Sequence, residues 1–148
     1  MQGEINTKYL EEELKRAKNM EAFFEENEQR LNAKTVPEYL NELLIKYSMM
    51  KGDVVRRSGL AGTYAYQIFD GKKSAGREKL IQLAFGFPLS LEETQRLLRC
   101  GGYAELYVKK RREAFLIYAL EKEYDINHVN EILYEMVRRP WTRSYLFV

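Results

Sequence analysis

The sequence has few of the residues that build disulfides, zinc sites or membrane spans. Among its 148 residues are one cysteine, Cys100, and one histidine, His128. One cysteine cannot form a bridge within the chain, and two such ligands are too few for a structural zinc site. The longest apolar run, residues 114–120, is far shorter than the roughly 20 residues that cross a bilayer, and no segment resembles a secretory signal. We therefore expect a reducing, cytoplasmic location and a hydrophobic core that is stable without disulfides or a bound metal.

The sequence also lacks the residue groups that characterise enzyme active sites. His128 has no serine, cysteine or carboxylate arranged with it as a catalytic set, which makes it a poor general base. Cys100 is more typical of a small buried hydrophobic residue than of a nucleophile. Gly101 and Gly102 are not followed by the lysine and serine or threonine of a phosphate-binding loop. The sequence predicts no catalytic residue, no metal and no cofactor.

Helical periodicity runs through most of the chain, and no stretch shows the alternation of a strand. The acidic segment from Asn6 to about Leu31 predicts one long amphipathic helix. A capping box at Thr35 and Glu38 and another at Ser90 and Glu93 each predict a helix start. The pattern predicts an all-α fold of about eight helices. The remaining helices are expected at 51–58, 62–70, about 77–87, 109–122 and about 125–139.

Residues 51–71 form the most informative segment. They predict two short helices that meet at Gly59, the second of them ending at Gly71, since glycine suits the left-handed conformation that follows a helix. Small Ala65 lies where two such helices would cross closely. This arrangement turns the first half of the second helix outward, where it can enter a major groove.

These residues resemble the lambda-repressor/Cro-like (xenobiotic-response-element, XRE) family of helix-turn-helix transcriptional regulators. The resemblance covers residues 39–98 and depends on the turn Arg-Arg-Ser-Gly-Leu at 56–60, the ending Tyr-Gln-Ile-x-x-Gly-Lys-Lys from Tyr66 to Lys73, and the helix expected at 77–87. It implies a five-helix DNA-binding core over residues 35–102. Around this core we expect an N-terminal amphipathic helix (1–34) and a C-terminal helix pair with an apolar tail (103–148).

The resemblance also implies roles for individual residues. Gln67 can pair with adenine through two hydrogen bonds, and Thr63 can bond a base or touch a thymine methyl group. Gly62 has no side chain to read a base, although it lets the backbone come close to the duplex. The base-reading residues implied are Gly62, Thr63, Tyr66 and Gln67. The DNA-backbone contacts implied are Lys51, Tyr64, Lys72, Lys73 and Arg77.

The charge distribution gives mixed support for nucleic-acid binding. The net charge is only +2, but residues 36–88 carry eight lysines and arginines against five carboxylates. The basic run 109–112 lies at an expected helix start, where the helix dipole disfavours cations. We interpret it as a solvated surface near Glu105 or Glu113, with phosphate binding as the alternative.

The expected function is therefore sequence-specific binding of double-stranded DNA by a bacterial transcriptional regulator that works as a homodimer. The N-terminal helix, the C-terminal helices and the apolar tail 140–148, which contains Trp141 and Phe147, are candidate surfaces for the dimer or for a protein partner. The alternative is a protein-interaction module that keeps the helix-turn-helix for its packing. Gly62, the small net charge and the acidic first helix motivate that alternative.

Overall fold

The computed structural model describes residues 7–27 and 34–138. These residues contain nine α-helices and no strand, which confirms the all-α prediction. Within these ranges, every helix is too short or too polar to cross a membrane. The helices are α1 (Thr7–Arg16), α2 (Met20–Glu26), α3 (Val36–Lys46), α4 (Lys51–Ser58), α5 (Gly62–Asp70), α6 (Arg77–Ala84), α7 (Leu91–Cys100), α8 (Arg111–Glu121) and α9 (Ile126–Arg138).

The described residues fall into two compact units, which meet in sequence between Lys34 and Thr35. Residues 7–27 of the first unit form two helices where the sequence predicts one, so that prediction is wrong. Asn19 takes an extended conformation, and its side chain accepts a hydrogen bond from the Ala22 amide at 2.8 Å. This side-chain bond starts a new helix and ends the regular helical pairing of the backbone. The predicted end near Leu31 lies outside the described residues.

In the second unit, α3 to α7 enclose most of one hydrophobic core, to which the last two helices add Leu116, Ala119, Leu120 and Val129. α3 packs against α5 and α7, α4 packs against α5 and α6, and α6 packs against α7. The aliphatic side chains between them are almost completely removed from water, and their burial is the main source of stability. The most buried members are Leu40, Leu43, Val54, Ile68, Leu80, Leu83, Leu97 and Leu98.

The helix ends in this unit follow the local sequence signals. The capping boxes at Thr35 and Ser90 are both formed, as predicted. In the second box Glu93 also accepts hydrogen bonds from Lys46 and Tyr47, so this cap ties α7 to the end of α3. Gly59 follows α4 in the left-handed conformation, with φ of 74°, as predicted.

The helix predicted to end near Phe87 ends three residues earlier, at Ala84. The Gly86 amide bonds to the Leu83 carbonyl at 2.8 Å, which tightens the chain into a turn. A Cβ atom on Gly86 would lie 2.5 Å from the Val54 carbonyl oxygen and 2.8 Å from Val54 Cγ1. The turn therefore brings the backbone after α6 into direct contact with α4.

The C-terminal pair, α8 and α9, belongs to the same compact unit, with α8 packed on α7. α8 is not buried on every face, because Tyr118 is 51% exposed. Asp125 caps α9 by accepting a hydrogen bond from the His128 amide at 2.8 Å. The apolar tail 140–148 lies outside the described residues.

Candidate nucleic-acid interface

The turn between α4 and α5 is fixed by side-chain hydrogen bonds. The Ser58 hydroxyl donates to the Val55 carbonyl at 2.8 Å and accepts from the Leu60 amide at 3.2 Å. Gln82 in α6 donates from Nε2 to the Ser58 carbonyl at 3.0 Å. Buried polar groups are costly when they lack partners, so these bonds favour one geometry of the turn. Sequence reasoning missed the contributions of Ser58 and Gln82.

The two helices cross where Ala65 is completely buried, as its small side chain predicts. Residues 62, 63, 66 and 67 recur on one side of a helix, because a helical turn takes 3.6 residues. Gly62, Thr63 and Tyr66 are exposed and Gln67 is half-buried. The structure therefore brings the four residues predicted to read bases onto one outward face of α5.

Gly62 begins α5 in open space. A Cβ atom added to it would have no neighbour within 4 Å, and the preceding residue, Ala61, offers no side-chain cap. Nothing in the packing of the described residues therefore requires glycine here. The backbone at this end of α5 is accessible to a partner that approaches closely.

Tyr66 lies across both helices of the motif. Its hydroxyl oxygen is 3.1 Å from the position that a Cβ on Gly52 would occupy, and the side chain remains 42% exposed. The hydroxyl end is thus directed to the first turn of α4, while part of the residue faces solvent. Gly52 is a residue that the sequence analysis did not single out, and it provides the space for this hydroxyl.

The candidate phosphate-binding residues fall into two groups. Lys72 and Lys73 are exposed, and within the described ranges neither makes an ion pair. Lys51 is instead paired with Asp70, with 3.2 Å between Nζ and Oδ1, and its Nζ lies 5.9 Å from the centre of the Phe69 ring. Tyr64 is half-buried against the core. Only the two loop lysines of this set present uncompensated charge.

Arg77, the fifth of the implied DNA-backbone contacts, is bonded within the protein. Its guanidinium donates to both carboxylate oxygens of Glu113, at 2.8 and 3.1 Å, and to the carbonyls of Ala104 and Glu105, at 2.9 and 3.0 Å. These bonds use four of its five N–H groups. Arg77 therefore holds the start of α6 to α8 and to the loop before it, and one N–H group is left for a phosphate contact.

Glu113, the partner of Arg77, is a buried carboxylate whose bonding keeps it ionised. Burial raises its pKa, but hydrogen bonds from Arg77 and from the Tyr107 amide outweigh this effect, so the pKa is lowered overall. In the basic run, Arg112 pairs with Glu78 at 2.6 Å. Glu113, one of the two carboxylates expected near the basic run, binds Arg77 and also interacts electrostatically with Lys110 of the run. Sequence reasoning missed the pairing of Glu78 with Arg112.

His128 and Cys100, the two residues considered for catalysis, both lie against other side chains. His128 stacks on Tyr124, with 4.2 Å between ring centres, and Cys100 is half-buried and packed against the core. In the residues that the structure describes, no group of three histidine, cysteine or acidic side chains could hold a metal ion. Comparison with models of protein families, with characterised proteins and with solved structures finds no match to this chain.

Proposed function

We propose that this protein binds double-stranded DNA by placing the outward face of α5 in the major groove. The observation that carries the proposal is that exposed Gly62, Thr63 and Tyr66 and half-buried Gln67 share one face of a helix. Hydrogen bonds in the turn fix the angle of this helix to α4. The resemblance to lambda-repressor-like regulators supports the same use of this helix. It also supports a transcriptional regulator that acts as a homodimer on two half-sites about one helical turn apart.

In this arrangement Gln67 and Thr63 supply the hydrogen bonds to base edges. Gly62 lets the α5 backbone approach the duplex, and Lys72 and Lys73 contact phosphates beside it. Each good two-bond contact to a base contributes about 1–3 kcal/mol of discrimination. Because the face offers few such contacts, a single subunit discriminates weakly and recognition depends on the dimer.

The first experiment selects binding sites from random-sequence duplexes with the purified full-length protein. We expect enrichment of a two-fold symmetric motif. Sites selected by the Gln67→Ala variant should lose the base preference at one position in each half-site. Gly62→Glu should abolish binding without unfolding the protein, since the space around Gly62 is open and a carboxylate there repels phosphates. Lys15→Ala, which removes an exposed lysine of α1 outside the motif, is the control. Retention of the same motif by both Gln67→Ala and Gly62→Glu would refute the docking geometry.

Salt dependence tests which cations touch phosphate. For duplex DNA the slope of log affinity against log salt is about −0.9 for each phosphate neutralised. Lys72 and Lys73 therefore give a slope of about −2 per subunit, whereas adding Lys51 and Arg77 would give about −4. The variant Lys72→Ala with Lys73→Ala should flatten the slope and weaken specific and random DNA alike.

The second candidate function is a protein-interaction module. It is favoured by the pairing of Lys51 with Asp70 and of Arg77 with Glu113, which interrupts the positive face flanking α5. A protein partner needs no such continuous charge. Absence of DNA binding even at low salt would favour this function over the first.

A further inference from the structure

A cavity of about 260 Å³ opens between the end of α4, the turn after α6 and the turn between α8 and α9. Four buried apolar side chains line it: Phe85, Phe87, Leu89 and Leu120. Drug-sized ligands occupy pockets of about 300–1,000 Å³, so this cavity suits a smaller molecule. Its lining favours a ligand with an apolar body.

Charged side chains of both signs also line this cavity. Arg56 pairs with Asp53 at 3.2 Å, and Asp125 serves as the cap of α9. The other two, Arg57 and Glu123, make no side-chain hydrogen bond or ion pair anywhere in residues 7–27 and 34–138. Both residues are exposed, so the cavity is lined by one cationic and one anionic residue that are accessible to a ligand.

The backbone conformation of Glu123 gives an independent reason to examine this residue. Its φ is 55°, in the left-handed region where side chains other than that of glycine are strained. The Glu123 amide bonds to the Leu120 carbonyl and the Tyr124 amide to the Ala119 carbonyl, at 3.1 and 3.0 Å. This is the Schellman helix ending, at which glycine is the favoured residue. The fold alone does not require glutamate here, and strained residues cluster at functional sites.

We propose that this cavity binds a free α-amino acid with a large apolar side chain. The ligand carboxylate pairs with Arg57, its ammonium group pairs with Glu123, and its side chain lies on the apolar floor. A ligand with both charges satisfies the two unpaired groups together, whereas a simple acid or amine leaves one of them unpaired. This binding does not depend on whether the protein binds DNA.

The test measures the melting temperature and the heat of binding of the full-length protein with leucine or phenylalanine. A ligand that binds only the folded state raises the melting temperature in a saturable way. Glycine lacks the apolar body, the N-acetyl derivative lacks the ammonium charge, and the amide lacks the carboxylate. We expect each of these three to bind about tenfold more weakly or worse, because each leaves a group unpaired or the floor exposed. No saturable shift with either amino acid, or equal binding of the derivatives, would overturn the proposal.

A matched pair of variants separates ligand binding from backbone strain. Ser48 has the same helix ending after α3, with φ of 51°, and it does not line the cavity. Glu123→Gly and Ser48→Gly should both raise the melting temperature of the free protein, because glycine relieves the strain. Glu123→Gly and Arg57→Gln should each weaken amino-acid binding, whereas Ser48→Gly should leave it unchanged. Unchanged affinity in Glu123→Gly would contradict the assigned role of its carboxylate.

Discussion

Replacing Arg77 by alanine should destabilise the protein far more than removing an ordinary surface arginine. The change leaves the Glu113 carboxylate, which is 5% exposed, without its charged partner, and it leaves two backbone carbonyls without a donor. Removing one partner of a buried ion pair costs about 3–5 kcal/mol. The Arg77 side chain is 23% exposed, so water replaces part of the lost bonding and we expect a loss of about 3 kcal/mol.

This loss is large compared with the about 5–15 kcal/mol that stabilise a typical domain. Urea unfolding followed by circular dichroism at neutral pH measures it directly. Arg77→Lys keeps the charge but loses the two-bond geometry, so its stability should lie between that of the parent protein and that of Arg77→Ala. The control is Arg138→Ala, whose ion pair with Glu135 is more than half exposed on both sides and should contribute at most about 0.5 kcal/mol. A loss below about 1 kcal/mol in Arg77→Ala would refute the structural role of this residue.

The same pair makes stability depend on pH. Because the pKa of Glu113 is lowered in the folded state, its contribution is fully present above the ordinary glutamate pKa. It is lost as pH falls through that value towards the lower folded one. Glu113→Gln should be less stable at neutral pH and should show a shallower loss on acidification. Parallel pH profiles for this variant and the parent protein would show that the pair does not contribute.

The remaining predictions concern glycines and a helix cap. Gly86→Ala should destabilise the protein by about 1–3 kcal/mol, because the new methyl group meets the α4 backbone at Val54. Gly62→Ala, the same change in open space, should leave stability unchanged or slightly raised. Equal melting temperatures for these two variants would contradict the packing described here. Ser90→Ala removes the cap of α7 and should cost about 0.5–2 kcal/mol in the same urea assay.

The parts of the fold that the sequence predicted well are those set by short-range chemistry. The bounds of α4 and α5 follow from Gly59 and Gly71, since both glycines take the left-handed conformation that ends a helix. The prediction of a single long first helix was wrong because it overlooked a short-range signal of this kind. The apolar spacing continues through the break before α2, so only the capping side chain of Asn19 marks it. Periodicity alone cannot reveal such a break.

The candidate site was predictable in its exposure but not in its charge pairing. The outward face of α5 follows from helical periodicity and from the small side chain of Ala65. The partner of Lys51 is 19 residues away, and the carboxylate that binds Arg77 is 36 residues away. Pairings of this kind depend on how distant helices pack, which no local pattern in one sequence specifies.

The two C-terminal helices, α8 and α9, contact residues close to α5. Glu113 of α8 binds Arg77 and so removes a cation from one flank of the motif, and Ile126 of α9 lies 3.5 Å from where a Cβ on Gly59 would be. The turn between α4 and α5 therefore packs on the same C-terminal pair that neutralises the flank. Of the candidate phosphate contacts in the described residues, Lys72 and Lys73 are exposed and make no ion pair. If α5 binds DNA as proposed, two phosphate contacts per subunit are few, and affinity at physiological salt would then depend on a second subunit.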